Sequence, residues 1–175
     1  SNKKVVLLTQ TFASPTTALI INNFLKKYSN VDHIIYDSIS NSKALDAFEV
    51  SYGVRALPTY DFEKANVIVS FSADFLGDWQ GGGFSKGYAK TRVPKNGKMS
   101  KHYQIEANMS LSGANADTRI PLKPSLQKKA LLRFYDLISG QNSGVKLNDK
   151  LDAKLKSISD NLLKSKSTFI LVCNV

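Results

Sequence analysis

Cysteine and tryptophan each occur once in these 175 residues, at Cys173 and Trp79. A single thiol excludes an internal disulfide, but it leaves the compartment open, because an exported protein can also lack disulfides. The two histidines, His33 and His102, are too far apart in sequence for zinc-ligand spacing. No apolar run approaches the roughly 18 residues that a bilayer span requires. No charged segment leads into an apolar one at the start, as an export signal would. Acidic residues are few beside basic ones, 14 against 24, giving a formal net charge of +10. One class this admits is nucleic-acid binding. The preferred reading is a solvated basic surface, because the lysines are scattered and neither an RNA-binding aromatic motif nor a helix-turn-helix signature accompanies them. Such a face equally suits an acidic partner subunit.

What is present is an ordinary globular composition, 42% hydrophobic and 22% charged, of a length that suits one domain with a sizeable core. Residues 5–8 are a short continuous apolar run, as in a strand buried on both faces. Ser14 followed by Pro15 reads as a helix cap and first turn, with Ile21, Phe24, Leu25 and Tyr28 on one face. Residues 33–36 predict a second strand. Residues 40–42 can cap a second helix, with Leu45, Phe48 and Tyr52 inward and Gly53 as its stop. Residues 66–71 predict a third buried strand. The β-α-β-α-β order points to a three-layer αβα sandwich on a mostly parallel, Rossmann-like sheet.

The middle of the chain reads as irregular, with further strands expected at 103–106 and 119–122. A helix is expected over 125–139 with Leu131, Leu132, Tyr135 and Ile138 inward, ended by Gly140. Residues 141–147 read as a linker. Asn148 caps a last helix with Leu151, Leu155, Ile158 and Leu162 inward, and residues 168–173 predict a final buried strand. The whole of 1–175 is expected to be one α/β domain of a longer chain. Ser1 and Asn2 would then be an expression scar, and 148–175 would begin the next portion of the fold.

In open parallel sheets, ligands sit beyond the carboxyl ends of the strands. Here those positions are 9–14, 37–40, 72–74 and 106–110, rich in Ser, Thr, Asn and Asp. That composition suits a crevice and also suits capping and turns, the preferred reading on pattern alone. Gly81, Gly82 and Gly83 match neither a dinucleotide fingerprint nor a Walker loop, and read as a surface loop. Trp79 beside them is either a partner anchor or a plug beneath the loop. Cys173 lies in an apolar run with no base nearby and reads as a buried core thiol. His33 reads as structural, and His102 is a weak ligand candidate. Asp61 and Glu63 read as a solvated turn.

Two long stretches carry a resemblance: residues 60–76 (YDFEKANVIVSFSADFL) and 109–124 (MSLSGANADTRIPLKP), joined by 99–102 (MSKH). Together they resemble the molybdopterin-oxidoreductase-like half of the large iron–sulfur subunit of alternative complex III. That complex is a bacterial quinol:electron-acceptor oxidoreductase, and this subunit type is typical of the Bacteroidetes. The resemblance spans nearly the whole chain.

In the wider molybdopterin superfamily, an Ala-Asp-Leu-Ile strand leads into a Gly-x-Asn loop that takes one arm of a molybdopterin guanine dinucleotide. Here the strand is Ala65-Asn66-Val67-Ile68 and the loop is Ser72-Ala73-Asp74, so the glycine is replaced. A Cβ there narrows the approach of backbone to pyrophosphate. An acidic residue followed by Pro-Arg meets ribose in that superfamily. This chain has Glu106-Ala107-Asn108, keeping the acid alone. An Arg-Pro-Gly-Thr-Asp turn becomes residues 123–127 (KPSLQ).

The resemblance therefore implies a cofactor-less structural and docking domain with no catalytic and no metal-ligating residue. Ser72, Ala73, Asp74, Glu106, Asn108, Asn115 and Asp117 would be vestigial cofactor contacts, and Trp79 with Gly81, Gly82 and Gly83 would dock partners. It further implies iron–sulfur clusters in another domain of the parent subunit and lost molybdopterin. It places the subunit on the periplasmic side, held to the membrane by other subunits of the complex. The alternatives are a domain that still binds the dinucleotide and, behind it, a basic nucleic-acid-binding module.

Overall fold

The computed structural model describes residues 3–12, 14–37, 42–166 and 169–174. The chain divides into two compact units, Ser1–Leu57 and Pro58–Val175. Both are α/β with parallel strands.

In the first unit, β1 (Val5–Thr9) and β2 (Val31–Ile35) pair in parallel from Val5 opposite Val31 to Thr9 opposite Ile35. Between them runs α1 (Pro15–Lys27), and α2 (Ser42–Tyr52) follows β2. The start of α1 is as its sequence predicts. Ser14 Oγ accepts a hydrogen bond from the Thr17 amide at 3.3 Å, and Pro15, which has no N–H to satisfy, opens the first turn. Of the expected cap of α2, residues 40 and 41 lie outside the described residues. Gly53, at φ 74°, donates its N–H to the Glu49 carbonyl at 2.7 Å and ends that helix.

Burial departs from expectation in this unit. Neither helix has a fully buried residue, and Leu8 (64% exposed) and Ile35 (54%) lie open on the strands expected to be covered. A sheet of two strands is too narrow to bury both of its faces.

The second unit holds four parallel strands in the order β5-β4-β3-β6. They are β3 (Val67–Phe71), β4 (Lys101–Glu106), β5 (Thr118–Pro121) and β6 (Phe169–Cys173). Between them lie α3 (Ser85–Arg92), the single turn α4 (Leu111–Ala114), α5 (Pro124–Ser139) and α6 (Asp149–Lys164). One face of the sheet packs Val69, Phe71 and Ile105 against Ala130 and Phe134 of α5 and Leu155 and Leu162 of α6. The other packs Ile68 and Val172 against Phe62, Phe75, Trp79 and Tyr88. Every residue of β3 is buried, as its continuous apolar sequence requires. The parallel α/β layering is thus as expected, with strands shared between two sheets.

Asn148 caps α6 through its side-chain oxygen, 2.9 Å from the Leu151 amide, and the four residues expected inward on that helix all are. On α5 the expected face is only partly right: Leu131 and Ile138 pack against the core, but Leu132 and Tyr135 do not. Ala130 and Phe134 are buried, whereas Leu132 is 44% and Tyr135 51% exposed. Two apolar stripes run along this helix, and the sheet takes the one whose Phe134 ring packs on Phe71 at 5.4 Å. The 141–147 segment is tied back to α5, because Ser143 donates its amide and its hydroxyl (2.6 Å) to the buried Asp136 carboxylate. Cys173 is exposed at the end of β6 and is not a core thiol; its neighbour Val172 takes the inward position.

Phe134→Ala should cost about 3–5 kcal/mol through lost burial and the cavity left behind. Leu132→Ala, on the open stripe, should cost under about 1 kcal/mol. Urea unfolding of the two variants measures the contrast, and equal losses would refute this assignment of the α5 faces.

Candidate ligand crevice at the carboxyl end of the sheet

Alternation along β4 places Tyr103 and Ile105 on the α5–α6 face. It places His102, Gln104 and Glu106 together on the opposite face, all buried. Three polar side chains in a row under a hydrophobic layer must bond one another or their neighbours. Gln104 Nε2 lies 3.1 Å from Glu106 Oε2, so its amide donates there. Gln104 Oε1 must then accept, and it faces His102 Nε2 at 3.2 Å. The imidazole proton therefore sits on Nε2, and the bare Nδ1 lies 3.1 Å from the Tyr88 hydroxyl, whose single proton also faces the Asn115 carbonyl at 3.0 Å. Burial holds His102 neutral, with its pKa lowered to about 4. Burial likewise raises that of Tyr88.

Glu106 ends this row, and its carboxylate is fully engaged. Oε1 accepts from the Ser110 amide at 3.2 Å and from Arg119 Nε at 2.5 Å. Oε2 accepts from Ser110 Oγ at 2.6 Å and from Gln104. A carboxylate offers about four lone-pair sites, and this one meets four donors. Burial pushes its pKa up, but the bonds from Ser110, Arg119 and Gln104 outweigh burial and leave it below the ordinary value. Ser110 also caps α4, its Oγ accepting from the Gly113 amide at 3.0 Å. Gly113 itself is pressed against the carboxylate: a Cβ there would lie 1.9 Å from Glu106 Oε1.

The loop after β3 is closed on itself in a similar way. Asp74 Oδ1 accepts from the Ser112 amide at 2.8 Å, and Ser112 Oγ accepts from the Leu76 amide at 2.9 Å. These two bonds staple the loop to α4. The Ala73 carbonyl accepts from Ser70 Oγ at 2.9 Å. Ser72 takes a left-handed backbone, φ 57°, a conformation that glycine adopts more readily. Its amide bonds the Ile105 carbonyl at 2.8 Å, and its Oγ is buried without a hydrogen-bond partner.

The remaining predicted contacts scatter. Asp117 forms a two-bond pair with Arg92 (2.7 and 2.9 Å) and accepts from the His102 amide at 2.7 Å. Burial raises its pKa, but the Arg92 and His102 bonds bring it below its usual value. Asn115 bonds within α4, its Nδ2 donating to the Leu111 carbonyl at 2.9 Å. Asn108 is exposed. Trp79 is the plug and not an exposed anchor: it is 8% exposed and packs on Tyr60 at 5.4 Å and Phe84 at 5.8 Å. Gly81, Gly82 and Gly83 all take positive φ, which lets the chain turn sharply above that ring.

In the first unit, Asp37 accepts from the amide and hydroxyl of Thr11, which is capping and turn chemistry. Asp61 and Glu63 form exposed pairs with Lys64 and Lys90.

Glu106 keeps no free acceptor site, and Ser72 carries a Cβ at the carboxyl end of β3. Among the described residues no group of three or more His, Cys, Asp or Glu could hold a metal ion, and no helix is long and apolar enough to cross a membrane.

Sequence reasoning singled out Glu106 but missed its partners Gln104, Ser110 and Arg119, as well as Tyr88 and Gly113. The signal was the period-two placement of His, Gln and Glu in a strand whose other side chains are apolar. In a sheet covered on both faces, such a row marks a buried polar network.

Two outcomes follow from this geometry. Gly113→Ala should destabilise the protein by about 3 kcal/mol or more, because it displaces a buried, paired carboxylate. Adding Glu106→Asp, which withdraws the oxygens, should recover part of that loss in a double-mutant cycle. Simple additivity would refute the contact. Between pH 6.5 and 4 the unfolded chain protonates His102 and the folded chain does not, so stability falls as pH falls through that window, by about 3 kcal/mol in all. Urea unfolding across pH should show this slope, and His102→Gln should flatten it.

Comparison of this sequence with models of known protein families gives no match, and comparison with curated proteins gives none either.

Proposed function

We propose that this chain is a structural domain of an electron-transfer subunit, built on a pterin-dinucleotide fold that no longer grips the dinucleotide. The saturated Glu106 carboxylate carries the reading. The group that would meet ribose is instead an internal fastener between β4, α4 and β5, held by Ser110, Arg119 and Gln104. The stapled 72–76 loop and the resemblance of residues 60–76 and 109–124 to the alternative complex III subunit support it. In this reading the parent subunit carries iron–sulfur clusters in another domain. It works in a quinol-oxidising complex on the periplasmic side, anchored by partner subunits. The 81–83 loop, supported from beneath by Trp79, docks a neighbouring subunit through its backbone.

One observation favours a second reading, a domain that still holds the dinucleotide. The Ser72 hydroxyl is buried without a partner at the carboxyl end of a central strand, where the superfamily loop receives its ligand. Ser72, Asp74, Glu106 and Asn115 would then have to rearrange to hold it.

Purification of the intact subunit followed by molybdenum and pterin assays separates the two. The structural reading expects neither at stoichiometric level, and one molybdenum per subunit overturns it. Calorimetry of the 175-residue chain with guanosine diphosphate should show no saturable heat.

A further inference from the structure

The opposite end of the four-stranded sheet, where β3 and β4 begin, has a different character. Between Asp78 and Glu106 the sequence contains no acidic residue, but it contains Lys86, Lys90, Arg92, Lys95, Lys98 and Lys101. Arg92 is paired with Asp117 and Lys90 with Glu63. Among the described residues, neither Lys95 nor Lys98 has an ion-pair partner.

The backbones of these two lysines are paired across a turn. The Lys95 amide bonds the Lys98 carbonyl at 2.9 Å and the Lys98 amide bonds the Lys95 carbonyl at 2.9 Å. The two residues between them, Asn96 and Gly97, take φ of 51° and 72°. That is the Asn-Gly two-residue hairpin turn with both central residues left-handed. It sets two ammonium-bearing chains directly opposite each other, an arrangement that disfavours the folded turn unless an anion answers it. Beside them opens a cleft of about 540 Å³ whose walls include Ala65, Thr91, Ser100 and the Glu63–Lys90 pair, in which the one carboxylate of the lining is already neutralised. Val93, 61% exposed, and Met99, 44% exposed, give its rim an apolar side.

We propose that this cleft docks an acidic segment of a partner protein, its carboxylates on Lys95 and Lys98 and an apolar side chain between Val93 and Met99. Two features favour a polypeptide over a nucleic acid. Val93 and Met99 give the rim an aliphatic side, and no aromatic side chain lines the cleft to stack a base. Electrostatic complementarity of this kind sets partner choice and encounter rate. The inference does not depend on whether the other end of the sheet holds a dinucleotide.

The test is fluorescence anisotropy of the 175-residue chain with a labelled twelve-residue peptide of repeating Asp-Glu-Leu. The controls are a peptide of repeating Asp-Glu-Ser and a duplex DNA of matched charge. The Leu peptide should bind in the micromolar range. Lys95→Gln with Lys98→Gln should weaken it at least tenfold, as should Asn96→Ala with Gly97→Ala, which leaves the charges but breaks the turn. Circular dichroism confirms that both exposed-turn variants stay folded. Four outcomes would each overturn the proposal: no binding of the Leu peptide, equal binding of the Ser peptide, tighter binding of the DNA, or an unchanged affinity in the turn variant.

Discussion

A buried carboxylate cannot remain charged unless donors replace the water it has lost, and that requirement organises the second unit of this protein. Glu106 closes the end of β4, and its four donors come from three places: the strand itself through Gln104, the start of α4 through Ser110, and β5 through Arg119. Removing any one of them exposes the others to the same desolvation penalty. Gly113 is fixed by the same demand, because the carboxylate occupies the space its side chain would need. The polar row extends the constraint inward: Gln104 must turn its amide nitrogen to Glu106, which dictates the His102 tautomer, and the Tyr88 hydroxyl of α3 lies between the bare His102 Nδ1 and the Asn115 carbonyl. A single charge thereby sets the orientation of side chains on two strands and on α3.

In the proposed reading, that coupling is what would let a ligand-binding layout outlast its ligand. In a parallel sheet the carboxyl ends of the strands leave backbone and capping groups to be satisfied, and a bound dinucleotide is one way to satisfy them. Here side chains do it. Ser110 serves both as the cap of α4 and as a donor to Glu106, and Asp74 ties the loop after β3 to the Ser112 amide. The Ser72 backbone keeps the left-handed conformation although it now carries a Cβ, a strain of about 1 kcal/mol that its bond to the Ile105 carbonyl helps offset. Among the described residues, the buried side-chain atoms left over are the Ser72 hydroxyl and Gln80 Oε1.

Much of the second unit was legible in the sequence because its signals are local and strong. The apolar run of β3, the Asn148 cap and apolar face of α6, and the Gly140 stop of α5 each follow from spacing and from one well-placed residue. What was not legible has physical reasons. Helix α3 buries only Tyr88, so it has no stripe to detect, and α4 is a single turn. On α5, two apolar stripes compete, and only the sheet decides between Phe134 and Tyr135. Strands β1 and β2 read as fully buried because a continuous apolar run says nothing of how many strands stand beside it. At the candidate site, the identity of Glu106 could be read from sequence, but its saturation could not. Arg119 and Ser110 reach it only because β5 lies beside β4 and α4 returns over the strand end.

The two ends of the four-stranded sheet now differ in a way that bears on function. Charged groups meet opposite charge inside the chain at both ends: Glu106 with Arg119 at the carboxyl end, and Asp117 with Arg92 where β4 and β5 begin. Such pairs are spent on holding the fold and have little attraction left for a ligand. At the amino end, the Asn96-Gly97 turn keeps Lys95 and Lys98 opposite each other without an ion-pair partner among the described residues, the Glu63 carboxylate of the same cleft being paired with Lys90, beside exposed Val93 and Met99. Folding alone gains nothing from that arrangement, since like charges across a turn oppose it. Recognition chemistry in this unit therefore resides where the charge is unbalanced, at the end of the sheet that parallel α/β proteins ordinarily leave to structure.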